Sequence, residues 1–404
     1  MAFELVFWIG LVTAAWFSWV LFRDLGDVPQ LIIPLPRERA IRTWYRRHRF
    51  SLLALAGLCV ALASYTLFNA GEVAALWGVG AVSVFLWFCG YIHPHLMMRP
   101  QQQKATFVSV QEAGKRLRPE TCVVVIENNG VARAHAECEI FRPHVVGTPD
   151  GLGGENVVMT YCAMSNLGMA LKPEVEGTAL DLAPVIQLEN NLILCDRNTG
   201  EPVQQIHRCR EADRESGKAM QEWPSWRMPL WAFAKAYPNG EVFVNRRPRW
   251  YQNPFASAYD LLIEMLFTTG ISYQHRFEKP ICDTMSHYDE RLSHKEYVWG
   301  FNVGDDYLAY TKDEVRKQGA PINVRVGGSD IVVAYDASYD SVGVYYNTTG
   351  EAVAEVDFFG DTATGRLPRV ETLKAGLYWF IWCNFFPQTD LNRMSECQNV
   401  AEAA

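Results

Sequence analysis

Several patterns are missing from this chain of 404 residues, and each absence removes a class of function. Basic residues are not in excess: 37 Lys and Arg stand against 45 Asp and Glu, a net charge of −8. A surface that tracks a phosphate backbone needs clustered, unbalanced Lys and Arg, so nucleic acid is not an expected partner. Paired cysteines are missing too. There are 10 Cys but no C-x-x-C, which leaves zinc ribbons and dithiol redox motifs without support. Nor is there a G-x-G-x-x-G after a strand, a phosphate-binding loop, a G-x-S-x-G or an H-E-x-x-H. Nucleotide use, serine hydrolysis and zincin chemistry therefore have no motif to rest on.

What is present begins with apolar bulk, 49% hydrophobic and 13% aromatic residues, in a chain long enough for two or three units. Three charge-free apolar runs crowd the start: Leu5 to Phe22, Ser51 to Phe68 and Val73 to Ile92. Each approaches the roughly 20 residues that cross a hydrocarbon core of about 30 Å, so residues 1–98 read as a transmembrane region of three helices. A cleaved leader is the alternative for the first run, but its positive charge falls after the run rather than before it. Arg23, Arg37, Arg39, Arg42, Arg46, Arg47 and Arg49 lie between the first two runs, whereas the next turn offers only Glu72. Positively charged loops resist translocation, which predicts an integral protein of the inner or cytoplasmic membrane with everything after Ile92 in the cytoplasm. Membrane lipid is then a partner, and the Arg-rich loop a contact for lipid phosphate.

Beyond a linker at 99–118, short runs rich in β-branched and aromatic residues alternate with turn formers such as Asn128-Asn129-Gly130, Gly153-Gly154 and Gly327-Gly328. The expected fold is a mainly β domain. It also reads as duplicated: "GGENVVMTYCA" from Gly153 aligns without gaps to "GGSDIVVAYDA" from Gly327, and "AYPNGEVF" from Ala236 is similar to "FFPQTDLN" from Phe385. "NTGE" at Asn198 likewise matches "TTGE" at Thr348, with about 24 more residues in the first copy. This divides the chain into a first repeat at 119–250 with an insertion after Cys162, a linker at 251–294, a second, degenerate repeat at 295–392 and a tail at 393–404. Long excursions in compact domains are often lids or binding loops, and the alternative is an ornament on a pseudo-symmetric pair.

The segments "IENNGVARAHAECEIFRPHVVG", "GGENVVMTYCAMS", "LILCDRNTGE", "SHYDERLSHKEYVWGF" and "WFIWCNFFPQTDL" together resemble the bacterial family called domain of unknown function 3179, over roughly residues 119 to 392. That family carries a T-Y-C-P-L-C segment, an upstream W-H and an H-x-D-x-R-L-x-x-K-E linker. The resemblance implies a duplicated all-β domain, usually attached to or exported across a membrane, with no established activity. It places the family Cys on Cys162, the His of W-H on His144, and the linker His, Asp and Arg on His287, Asp289 and Arg291. The chain departs from the pattern at Pro143, Ala163 and Ser165, the last standing where the family has its second Cys.

Cys162 falls at the end of a central strand where the second copy has Asp336, so the fold does not itself demand an apolar thiol there. A thiolate is a nucleophile and a soft metal ligand, and imidazole is its usual partner as base or co-ligand. Cys162, His144, His287 and Asp289 are therefore the candidate ligands for copper or iron. His287 and Asp289, two apart, share a face of an extended chain, although a salt bridge from Asp289 to Arg291 is the plainer reading. The alternative functions are a thiol enzyme, with Cys162 as nucleophile activated by His144, and a non-catalytic assembly module that docks a membrane-protein partner. An inert core Cys is the competing view of Cys162.

Overall fold

A computed structural model describes the chain except at residues 1, 27, 32, 34–35, 46–48, 70, 72–75, 78, 86–94, 96–97, 247–249, 252, 283 and 394–404. Three helices come first: α1 (Ala2–Leu25), α2 (Arg37–Tyr45) and α3 (Arg49–Asn69). Among the described residues no helix is long and apolar enough to cross a membrane. The expected spans at 5–22, 51–68 and 73–92 are corrected accordingly, and the integral-membrane placement falls with them. Residues 73–75, 78 and 86–92 of the third run lie outside the described residues.

The amino-terminal segment packs against the rest of the fold. Leu21 and Leu25 at the end of α1, with Ala40 and Trp44 of α2, pack against Ala183, Val185, Ile186, Leu188, Ile193 and Cys195 of a β-sheet. Among the described residues of the Arg-rich connection, Arg23, Arg37 and Arg39 are tied down by ion pairs. Arg23 and Arg39 both meet the buried Asp24, at 2.6 and 3.1 Å. Trp44 Nε1 donates to the Gly200 carbonyl at 2.9 Å. Large apolar side chains do stay uncovered on α1 and α3, including Trp8, Val12, Trp16, Leu58 and Tyr65.

The remainder is mixed α/β, with several small sheets, which corrects the expectation of a mainly β domain. One sheet has the order β1 (Phe107–Ser109), β15 (Glu241–Phe243), β3 (Val131–Ala136), β2 (Cys122–Asn128) and β14 (Trp226–Pro229). A second has the order β23 (Lys374–Tyr378), β16 (Tyr297–Val303), β17 (Asp306–Thr311) and β24 (Asp390–Leu391). In both, the last-placed strand pairs in parallel with the return strand of a hairpin: β15 with β3, and β24 with β17. The hairpins are alike in length, running from Val123↔Ala136 to Asn128↔Val131 and from Val298↔Thr311 to Val303↔Asp306.

Two further sheets correspond in the same way. β4 (Val145–Gly147), β5 (Val158–Cys162), β6 (Leu167–Leu171) and β13 (Glu222–Trp223) form one, and β18 (Ile322–Val326), β19 (Ser329–Asp336) and β20 (Ser341–Tyr346) the other. Cys162 opposes Leu167 as Asp336 opposes Ser341. Gly153 and Gly327 share a φ of +55°, and a Cβ at either would lie 2.3 or 2.1 Å from a carbonyl oxygen of the neighbouring hairpin, Asn128 or Val303. That double constraint explains why both copies carry glycine there.

The helices missed at the sequence level are short and sit between strands: α4 (Glu137–Ile140), α5 (Leu230–Ala236), α7 (Lys312–Gln318) and α8 (Trp379–Phe385), together with the longer α6 (Pro254–Arg276). Local chemistry specifies α7: the Thr311 hydroxyl accepts from the Glu314 amide at its start, and Gly319 ends it at φ +64°. Trp379, Phe380 and Trp382 of α8 are fully buried and join Val158, Cys162, Leu167 and Leu194 in the largest core. The first half alone carries β9 (Leu182–Leu188), β10 (Asn191–Asp196), β11 (Pro202–Gln204) and β12 (Cys209–Arg210), a four-stranded sheet. Gly200 lies between β10 and β11 of that sheet, whereas Gly350 follows β20, so the two T-G-E stretches occupy different settings.

Candidate functional site

Cys162 is 1% exposed, at the end of β5. Its thiol donates to the Asn190 carbonyl at 3.8 Å, and Asn190 belongs to the β9–β10 turn, which thereby covers the cysteine. The Asn190 amide holds the Cys282 carbonyl at 2.6 Å, closing the same turn against the segment after α6. Ser165, where the family has its second cysteine, donates to the Cys162 carbonyl at 3.3 Å. Asp336, at the matching position, accepts from the amides of Ser338 at 2.7 Å and Phe358 at 3.0 Å. The difference between the two copies is thus a core thiol against a carboxylate that holds loop backbone.

His144 sits just before β4 in a left-handed conformation, φ +59°, and its carbonyl accepts the Tyr161 amide at 2.9 Å. Burial depresses the imidazole to about 4, only partly offset by the carbonyls of Arg142 and Phe141. It is a neutral ring whose Nδ1 makes no hydrogen bond. Cys162 packs with Val145 and Val158, whereas Tyr161 packs with Val146 and Met159 on the other face of the sheet. His287 is exposed, its amide bound to Asn384 Oδ1 at 3.0 Å. Asp289 is committed to Arg291, 2.7 Å away, and that hydrogen bond holds its carboxyl below the usual range. Among the described residues no group of three His, Cys, Asp or Glu side chains could hold a metal ion. Cys162, His144, His287 and Asp289, expected as ligands for copper or iron, are not gathered into such a group.

A different cluster stands where the two halves meet. β14 of the first half lies against β20 of the second, and β23 against β6. Between them is a cleft of about 310 Å³, lined by Cys122, Glu137, Asn166, Arg227, Tyr297, Trp299, Lys312 and Asp340 among others. The lining is paired by position. Cys122 begins β2 and Tyr297 begins β16; Glu137 follows β3 and Lys312 follows β17. Asn166 and Asp340 occupy the β5–β6 and β19–β20 turns, both left-handed at φ +59° and +49°.

Arg227 organises this cluster. Nη1 donates to the Gly376 carbonyl at 2.9 Å and Nη2 to Asn166 Oδ1 at 3.0 Å, and Nη2 also pairs with Glu137. Asn166 Nδ2 reaches the same Gly376 carbonyl at 2.9 Å. Gly376 is the bulge residue of β23, at φ +73°, and a Cβ there would lie 2.0 Å from Arg227 Nη1. Burial opposes the Arg227 charge, but Glu137 and its neighbours more than compensate and hold the group above its ordinary value. Lys312 is set 2.5 Å from Asp340. Two buried donors in the lining, Arg227 Nε and Trp299 Nε1, have no hydrogen-bond partner. Burial pushes the Cys122 thiol up to about 12, which favours the neutral thiol over the thiolate.

None of the cleft residues was singled out in the sequence. The one available signal was Arg227 itself, a lone charge in the apolar run "WRMPL", placed opposite Gly376 once the "AYPNGEVF" and "FFPQTDLN" alignment is extended backwards. Comparison with curated proteins and with solved structures finds no match. The profile of one family does match, over residues 98–389, which takes in both halves and the cleft between them. The chain belongs to the family described as Protein of unknown function (DUF3179).

Proposed function

We propose that this chain is a non-catalytic binding domain whose site is the cleft between its halves, and that the ligand is a small molecule bearing a carboxylate or carbonyl group. The observation that carries this reading is the pair of buried donors without acceptors, Arg227 Nε and Trp299 Nε1, in the lining of one cleft. Buried donors left unpaired cost about 1–3 kcal/mol each, and an acceptor brought by a ligand recovers that cost. The volume suits a small ligand, at the lower end of the usual range for such pockets. Lys312 and Asp340, 26% and 40% exposed, stand at the accessible side and supply both charges for orientation.

A thiol enzyme is less well supported, because Cys162 is buried with its thiol directed to a carbonyl and Cys122 is held neutral. The test is a thermal-shift and calorimetric screen of the full chain against small mono- and dicarboxylates, repeated with Trp299→Phe. That substitution removes the Nε1 donor and keeps a smaller aromatic ring in its place. Ligands are expected to bind the wild type about tenfold more tightly than the variant. A screen without a single binder, or equal affinity in both proteins, refutes the reading.

A further inference from the structure

We infer that the pocket between α2 and the helical turn at Glu211–Asp213 is a binding site for a phosphate group. The pocket measures about 520 Å³, and Arg37, Arg42 and Arg214 line it. Arg37 is the inner member, its side chain 11% exposed. It pairs with Glu211, and Nη1 stands 3.6 Å from the Glu189 carboxylate. Even so, its buried Nε and Nη1 donate no hydrogen bond. A largely buried guanidinium with two unspent donors is stabilised by oxygen acceptors that reach both at once, and the planar fork fits phosphate oxygens.

Charge points the same way. Burial lowers the Arg37 value and the nearby Arg214 cation adds to it, against the opposing charges of Glu189 and Glu38. Two guanidinium groups in mutual repulsion are relieved by an anion of more than one charge. Arg37 also opens α2, a nine-residue helix whose amino-terminal end favours negative charge. Glu38 and Glu211 line the pocket as well, so the site is expected to be weak.

Free phosphate and a phosphomonoester headgroup at a lipid surface share this chemistry, and two assays separate them. The full chain is titrated with inorganic phosphate by calorimetry, and is co-sedimented with phosphatidylcholine vesicles containing or lacking phosphatidic acid. Saturable heat with phosphate, weakened about tenfold or more in Arg214→Gln, supports the site with a free ligand. Sedimentation only with phosphatidic acid, weakened in the same variant, supports it with the headgroup as source. Arg37→Gln also gives up its pairing with Glu211 and is read only if its melting curve matches the wild type. Arg214→Gln, exposed in the pocket wall, keeps the test decisive. Failure to bind either probe, or undiminished binding in Arg214→Gln, overturns the inference.

Discussion

Replacing His135 with Phe should make the protein resist acid better than the wild type, by an amount that grows as the pH falls. His135 is fully buried on β3, between the rings of Phe107 and Phe243 at 5.7 and 6.2 Å. Its Nδ1 lies 3.3 Å from the Val124 carbonyl and its Nε2 has no partner. Burial, with the Arg133 cation adding to it, lowers the ring from 6.5 to about 3. The folded chain therefore stays unprotonated at this position where the unfolded chain takes up a proton. Since the folded value is the lower one, stability is full above pH 6.5 and is lost as the pH falls towards 3, at about 1.4 kcal/mol per unit. Between pH 6.5 and 5 the loss from this one ring is about 2 kcal/mol. Urea unfolding followed by tryptophan fluorescence, at pH 7, 6 and 5, measures it. Carboxylates titrate in both proteins, so the quantity of interest is the wild-type minus variant difference, from which any constant packing cost of the Phe ring drops out. A difference that stays flat within about 0.5 kcal/mol from pH 7 to 5 would refute the argument that this ring is buried neutral.

Two further sets of substitutions test the frame. Alanine at Gly153 or Gly327 should lower stability by about 2 kcal/mol or more, combining a left-handed backbone with a carbonyl 2.3 or 2.1 Å from the new Cβ. Alanine at Gly154 or Gly328, where a Cβ meets nothing within 4 Å, should cost only the backbone part, and equal melting temperatures for the two sets would contradict the packing. Lys374, 1% exposed, binds both oxygens of the buried Glu222 at 3.2 and 3.1 Å, and burial lowers its own value. Lys374→Met should therefore destabilise by about 3 kcal/mol in chemical denaturation, with much of that recovered in the double variant Lys374→Met, Glu222→Gln; a single-variant loss below about 1 kcal/mol would show that Arg208, 3.2 Å from Glu222, suffices alone.

The parts of the fold legible in the sequence are those fixed by local chemistry. The G-G pairs at Gly153 and Gly327 precede strands of matching register because the first glycine in each fills a place no Cβ can occupy. The short helices were not legible. Runs such as "WFIWCNF" and "LWAFAKA" are short and mostly apolar, so no periodicity separates a seven-residue helix from a strand. At the end of the first apolar run, too, tertiary contact decides what hydropathy does not register: Leu21 and Leu25 are covered by the β9–β10 hairpin. Cys162 looked chemical because a thiol has two characters, and only burial and the Asn190 carbonyl decide between them. The cleft was hidden because its lining comes from positions as far apart as Cys122 and Asp340, which only the meeting of the two halves brings together.

That meeting also explains why the informative residues lie at the junction rather than within either half. Equivalent positions of two similar halves face one another across it, and identical side chains there would bring like against like. An Arg at both 227 and 376 would place two guanidinium groups in one space, whereas glycine at 376 lets Arg227 Nη1 approach the main chain and bond its carbonyl at 2.9 Å. Likewise Glu137 has Lys312 as its counterpart, so the position that follows each hairpin carries opposite charge in the two halves. Cys122 against Tyr297 and Asn166 against Asp340 continue the pattern. Elsewhere the halves keep the same hairpin register and the same glycines, because packing constrains both copies equally. At the junction the constraint is the reverse. There the copies differ, each half pairs its own charges, Arg227 with Glu137 and Lys312 with Asp340, and the lining is left with an asymmetric set of donors, Arg227 Nε and Trp299 Nε1, that the fold itself does not satisfy.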